Sequence, residues 1–282
     1  GCCECSRWDD LLTENIGSFR KQKKDQLKKR ETVSMNNLLS QLRRGWTLRF
    51  WLAVLAAMCL TLITFLQPIL ATWQQGRRFD QGYHNDLMMK ALTSDVVASF
   101  LPLLAAIPFA AGYLEDVKSK FSRFYLIRGS YSGYLLSHFA ACWLYGGGVV
   151  FLGPLIVWGI TALVFTPVER AVKGYTSISP QILNHLVLLF WNGGLWAVVG
   201  LTMSTIMESK YIAYASPFIV YYLLVILYER YFPEAGLLSP KNWLDLKIWP
   251  YGLGSAILFL LELTLLCGLI FYIRGKRRLE AL

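Results

Sequence analysis

Tyr113–Tyr131 reads YLEDVKSKFSRFYLIRGSY, a charged interval held between two long apolar runs. Leu114, Val117, Phe121, Phe124 and Tyr125 recur at helical spacing, while Glu115, Asp116, Lys118, Lys120 and Arg123 fall largely on the other side. The spacing predicts a short amphipathic helix over 115–128. Acidic residues sit in its first turn and Arg128 in its last, as the helix dipole favours, and Gly129 then offers a stop. Such a stretch is either a solvated basic loop or a docking helix for another protein, and only its surroundings distinguish the two.

Those surroundings are apolar. In a chain of 282 residues, 55% hydrophobic side chains and a mean hydropathy of +0.41 are more than one water-soluble core can bury. The expectation is an all-α integral membrane protein. A net charge of +10 would suggest nucleic acid in a soluble protein. Here the basic residues gather at the chain ends and in the Tyr113 interval, beside apolar runs, which fits anionic lipid and no nucleic acid. Cys59, Cys142 and Cys267 lie inside apolar runs, and Cys2, Cys3 and Cys5 lie near residue 1 with no second ligand pair, so neither a disulfide framework nor a metal site is expected. No cleavable signal peptide is expected either, because the first apolar run starts near residue 50 and is long enough to span.

Residues 1–34 read as a basic amphipathic extension in the cytosol. Residues 35–49 place Met35, Leu38, Leu39, Leu42 and Trp46 on one face with Arg43, Arg44 and Arg49 able to reach headgroups, which predicts an interfacial helix. Residues 50–282 then form a six-span domain, with spans at about 50–73, 95–112, 134–165, 180–207, 211–228 and 254–273. Thr93 or Ser94 can cap the second span. The third run is long for ~30 Å of hydrocarbon, and a break is expected between Gly146, Gly147, Gly148 and the Gly153, Pro154 pair. Thr166-Pro-Val-Glu169 has capping-box spacing for a short helix of its own. Residues 229–253 are too polar for a simple span yet rich in Leu and Trp, and read as dipping into the membrane or lying on its outer surface.

Charge sets the expected orientation. With both termini cytoplasmic, the inner segments hold 20 of the 28 Lys and Arg and the outer ones 8. The Tyr113 interval then faces the cytosol between spans two and three.

This layout, together with the wording FAAGYLEDVKSKFSRFYLIRGSYSGYLLSHF over residues 109–139, resembles the permease subunit of type-2 ABC transporters: an acidic pair after the second span, an Arg-Gly-Ser turn, and a Tyr-rich start to the third. The resemblance covers about residues 35–275 and leaves residues 1–34 outside. It implies the type-2 exporter fold, a homodimer in a bacterial plasma membrane, and two copies of a separate ATPase that binds ATP and Mg while this chain binds no cofactor. Carried across, residues 115–128 would be the coupling helix. Phe121, Phe124 and Tyr125 would pack into the ATPase cleft, Lys118, Lys120 and Arg123 would fix it by charge, and Glu115, Asp116 and Arg128 would complete it. The sequence has no G-x-x-x-x-G-K-[ST] loop to cradle ATP phosphates. Relatives that export cytolytic or antimicrobial peptides, such as phenol-soluble modulin transporters, point to an amphipathic peptide as cargo; a lipid or small hydrophobic drug is the alternative.

Other classes find less to stand on. There is no His-Glu-x-x-His, Gly129-Ser-Tyr-Ser-Gly133 centres on Tyr131 and not Ser, and His84, His138 and His185 lack ligand spacing, so no catalytic residue is expected. An ion-coupled secondary transporter would need intramembrane charge, and Glu262 is the acid well inside a span; it can also pair with His138 as structural glue. Tyr211, Tyr214, Phe218 and Tyr221 share one helical face in the fifth span, where they can line a substrate path or a dimer interface. Gly193, Gly194 and Gly200 read as close-packing positions.

Overall fold

The computed structural model describes residues 38–74, 80–120, 131–169 and 178–280. Among them the architecture is all-helical. A helix at 38–45 (α1) is followed by α2 (Leu48–Gln74), α3 (Tyr83–Leu92), α4 (Asp95–Ala106), α5 (Gly112–Lys118), α6 (Tyr131–Phe165), α7 (Ser179–Met207), α8 (Lys210–Arg230) and α9 (Leu253–Glu280). Helices α2, α6, α7, α8 and α9 are each long and apolar enough to cross a bilayer, and α3 with α4 makes a sixth if that bent pair counts as one span. The chain is a multi-pass membrane protein.

Helix α7 is the axis. Of its most apolar window 78% is buried inside the bundle, against 22–33% for the other long helices, so α7 meets protein on all sides while they present an outer face to lipid. Small residues let α6 approach it. A Cβ on Gly146 would lie 2.2 Å from that of Ala197, and one on Gly193 would lie 2.9 Å from the Gly146 carbonyl oxygen, so no larger side chain fits at this crossing. This also corrects the expected break in the third run. Helix α6 continues unbroken for 35 residues with Pro154 inside it, because Gly146 and Gly147 serve as packing surface and not as a hinge. At 1.5 Å per residue it measures ~52 Å and must tilt or project beyond the hydrocarbon.

The second span also differs from expectation. Helix α4 stops at Ala106, where residues 107–111 form turns, and its axis bends 63° from α3 across Thr93 and Ser94. Ser94 does cap α4, accepting a hydrogen bond from the Val97 amide at 3.3 Å. Ahead of α4, Tyr83–Leu92 is helical because Leu87, Met88, Ala91 and Leu92 supply a buried stripe and Asn85 accepts from the Trp158 indole at 2.9 Å. Glu169 caps this helix from a distance: its carboxylate accepts from the Gly82 and His84 amides at 2.8 and 3.0 Å and sits 2.7 Å from His84 Nδ1. These contacts outweigh burial, which alone would raise it, and hold the Glu169 carboxyl below its usual range. The short helix expected from Thr166 lies mostly outside the described residues.

At the same end of the bundle, Gly236–Leu238 and Asn242–Leu244 form 3-10 turns, and Ser239, Trp243 and Trp249 are buried. Trp243 stacks on Trp196 of α7 and meets Phe259 of α9 edge-on, so this segment wedges between two long helices.

Candidate functional site

Helix α5 begins where Tyr113, Leu114 and Val117 turn into the bundle, and that places the acidic pair Glu115-Asp116 against four other elements. Asp116 is only 1% exposed. Arg44 of α1 grips it with both guanidinium arms, Nη1 to Oδ2 at 2.8 Å and Nη2 to Oδ1 at 2.6 Å. The Tyr134 hydroxyl donates to Oδ2 at 3.2 Å and His138 Nε2 lies 3.1 Å from it, both from α6. A fork-shaped cation on a carboxylate fixes orientation as well as distance. Burial alone would raise the Asp116 carboxyl; hydrogen bonds from His138 and Arg44, with their charge, overcome it and bring the group down to about 2. Asp116 is therefore ionised throughout the physiological range.

Glu115 completes the junction on the wetter side. Arg49 of α2 and Lys210 of α8 both approach its carboxylate at 3.3 Å. Tyr113 donates to the Gly275 carbonyl of α9 at 3.3 Å and sets its ring edge-on to Phe271. Burial pushes the Tyr113 hydroxyl up to about 12, so it remains a donor. One short helix thus holds α1, α2, α6, α8 and α9 at the end of the bundle where, among the described residues, most Lys and Arg cluster. A force applied to α5 would reach every one of them.

Two sequence expectations are corrected here. Asp116 was expected on the solvated face and is instead buried, because three donors from α1 and α6 replace its water. The single helix expected over 115–128 ends at Lys118: the chain turns through Ser119, and Lys120 takes a left-handed conformation with φ of 59°. Lys118 and Lys120 are exposed beside that turn. Phe121, Arg123, Phe124, Tyr125 and Arg128 lie outside the described residues.

The proposed substrate-path residues are not brought together. Helix α8 packs through Ala213, Pro217, Tyr221 and Val225, so Tyr221 points inward onto Trp196 at 2% exposure while Tyr211 is 86% exposed. Tyr214 and Phe218 are half-buried between them. Glu262 sits on the outward face of α9 among exposed Leu258, Leu265 and Leu266, and His138, its candidate partner, belongs to Asp116. At the end of the bundle opposite the acidic pair, a cavity of about 710 Å³ opens between the α3–α4 bend, the start of α7 and the 3-10 turns. Asp95 and Asp245 with Lys241 and Lys247 give it both signs of charge.

Sequence reasoning missed Arg44, Tyr134 and His138 as partners of Asp116. They stand 72, 18 and 22 positions from it, and the available signal was a lone His and a Tyr in the first turns of an apolar run that follows an acidic pair. Among the described residues no group of three His, Cys, Asp or Glu could hold a metal ion. No protein family, curated protein or solved structure matches the chain.

Proposed function

We propose that this chain is the membrane-spanning subunit of a two-component exporter of the type-2 ABC kind, driven by ATP hydrolysis in a separate nucleotide-binding subunit. The observation that carries the reading is the Glu115-Asp116 junction. A helix whose acids are clamped by four neighbouring elements and whose Tyr113 reaches a fifth, and whose chain then leaves through exposed Lys118 and Lys120 into a segment rich in Phe and Arg, is built to relay movement from outside the bundle. The sequence holds no phosphate-binding loop, in keeping with a fuel handled by a separate subunit.

In this reading the basic end faces the cytosol and Phe121, Phe124 and Tyr125 enter a cleft on the ATPase. Two copies of each chain work together in a bacterial plasma membrane. ATP-driven closure of the partner pulls α5, which shifts α2, α6 and α9 as a group and changes access to the opposite end, where the mixed-charge cavity receives an amphipathic cargo such as a cytolytic or antimicrobial peptide. Asp116→Asn tests the joint. It keeps shape but removes the charge that holds Arg44, so the complex should retain its ATPase and hydrolyse ATP while peptide movement into proteoliposomes falls at least tenfold. Transport at the wild-type rate by Asp116→Asn would remove the junction from the mechanism.

A further inference from the structure

The three arginines around the start of the first span do not share one fate. Arg44 and Arg49 are committed to Asp116 and Glu115, whereas among the described residues no carboxylate stands within ion-pair distance of Arg43. Arg43 is exposed and, among the described residues, is the one charged side chain lining a groove of about 460 Å³ between the α1–α2 corner and α6. The rest of the lining is apolar, with Leu42, Trp46 and Phe50 on one wall and Leu144, Gly148 and Leu152 on the other. Trp46, Leu48 and Trp51 are exposed next to it, the aromatic and apolar surface that marks a headgroup boundary.

We infer that this groove is a binding site for an anionic glycerophospholipid of the surrounding bilayer, with its phosphate on Arg43 and an acyl chain along Leu42 and Leu152. Charge complementarity selects the occupant. One free guanidinium at the mouth of an otherwise apolar trough matches one anionic head and one hydrocarbon tail, and the volume lies within the usual range of ~300–1,000 Å³ for small-ligand sites. A lipid seated there would touch α1 and α6 together, the two helices that also hold Asp116, and so brace the junction from its membrane side.

Native mass spectrometry on purified full chain, equilibrated with equal amounts of phosphatidylglycerol and phosphatidylcholine of the same chain length, tests this. Wild type should retain the anionic lipid several-fold over the zwitterionic one. Arg43→Gln should bring the ratio close to one and Arg43→Lys should restore most of it. Gly148→Leu should lower retention of both lipids, because the nearest atom to a Cβ there is a Phe50 ring carbon at 3.8 Å and a larger side chain grows into open groove. Equal retention of the two lipids by wild type, or a ratio unmoved by Arg43→Gln, would overturn the assignment. So would efficient disulfide formation between copies carrying Leu39→Cys, which would show a second chain covering the groove. The readout involves no ATPase, so its failure and the failure of the exporter reading are separate events.

Discussion

Among the described residues, Asp116 is the carboxylate held by the most side chains, with Arg44, Tyr134 and His138 on it. Its group is lowered from 3.8 to about 2, so its stabilising charge is fully present above pH ~4 and is lost as pH falls through ~2. That shift corresponds to about 2 kcal/mol of linkage. Thermal melts of the detergent-solubilised protein should therefore be flat from pH 5 to 8 with respect to this group and steepen below pH 4, and Asp116→Asn should remove that acid limb. Asp116→Ala should cost roughly 3 kcal/mol, since it removes the buried carboxylate on which Arg44, Tyr134 and His138 converge. Glu262 poses the opposite case: a carboxylate on an outward face of α9, amid leucines. An ATP-driven exporter tolerates Glu262→Gln with its ATP dependence intact, whereas a gradient-driven carrier loses proton-coupled uptake in vesicles with that change. Neither acid's setting was open to a reading by spacing. Helical periodicity assigns Asp116 to the wet side of its helix, and only partners far away in sequence reverse that.

Among the elements, the long apolar helices were legible because lipid selects for hydrophobicity over ~20 residues whatever the packing. What periodicity could not supply was how they fit together. Gly146 to Gly148 and Pro154 read as a break, and what makes them a packing surface is Gly193 and Ala197 of another helix. Gly193→Val should force α6 and α7 apart and lower the melting temperature by several degrees, a cost of ~1–3 kcal/mol. A mild response would mean that this crossing is looser than its 2.9 Å clearance implies. Helix α3 escaped notice because its polar letters mask a buried stripe, and its N-terminal cap arrives from residue 169. Glu169→Ala should speed hydrogen exchange at the Gly82 and His84 amides while leaving the rest of the bundle protected, with a cost of about 1 kcal/mol.

At the scale of the molecule, the proposed mechanism divides labour between a membrane bundle and an external motor. Composition alone established the first half, since so apolar a chain needs a bilayer. The second half rests on a junction that ties five elements to one short helix, together with the resemblance carried by residues 109–139. Phe121 and Phe124, the aromatics proposed to dock, follow that junction in sequence and give the most direct test. The full chain is affinity-purified from membranes of its own cells, as wild type and with Phe121→Asp and Phe124→Asp combined, and Mg-dependent ATP hydrolysis is measured in the eluates. The account predicts a copurifying polypeptide that hydrolyses ATP with wild type, and loss of both the polypeptide and the activity with the double variant while membrane insertion is unchanged. A wild-type eluate that moves peptide across liposomes with no second polypeptide and no nucleotide, or an ATPase retained in full by the double variant, would contradict it.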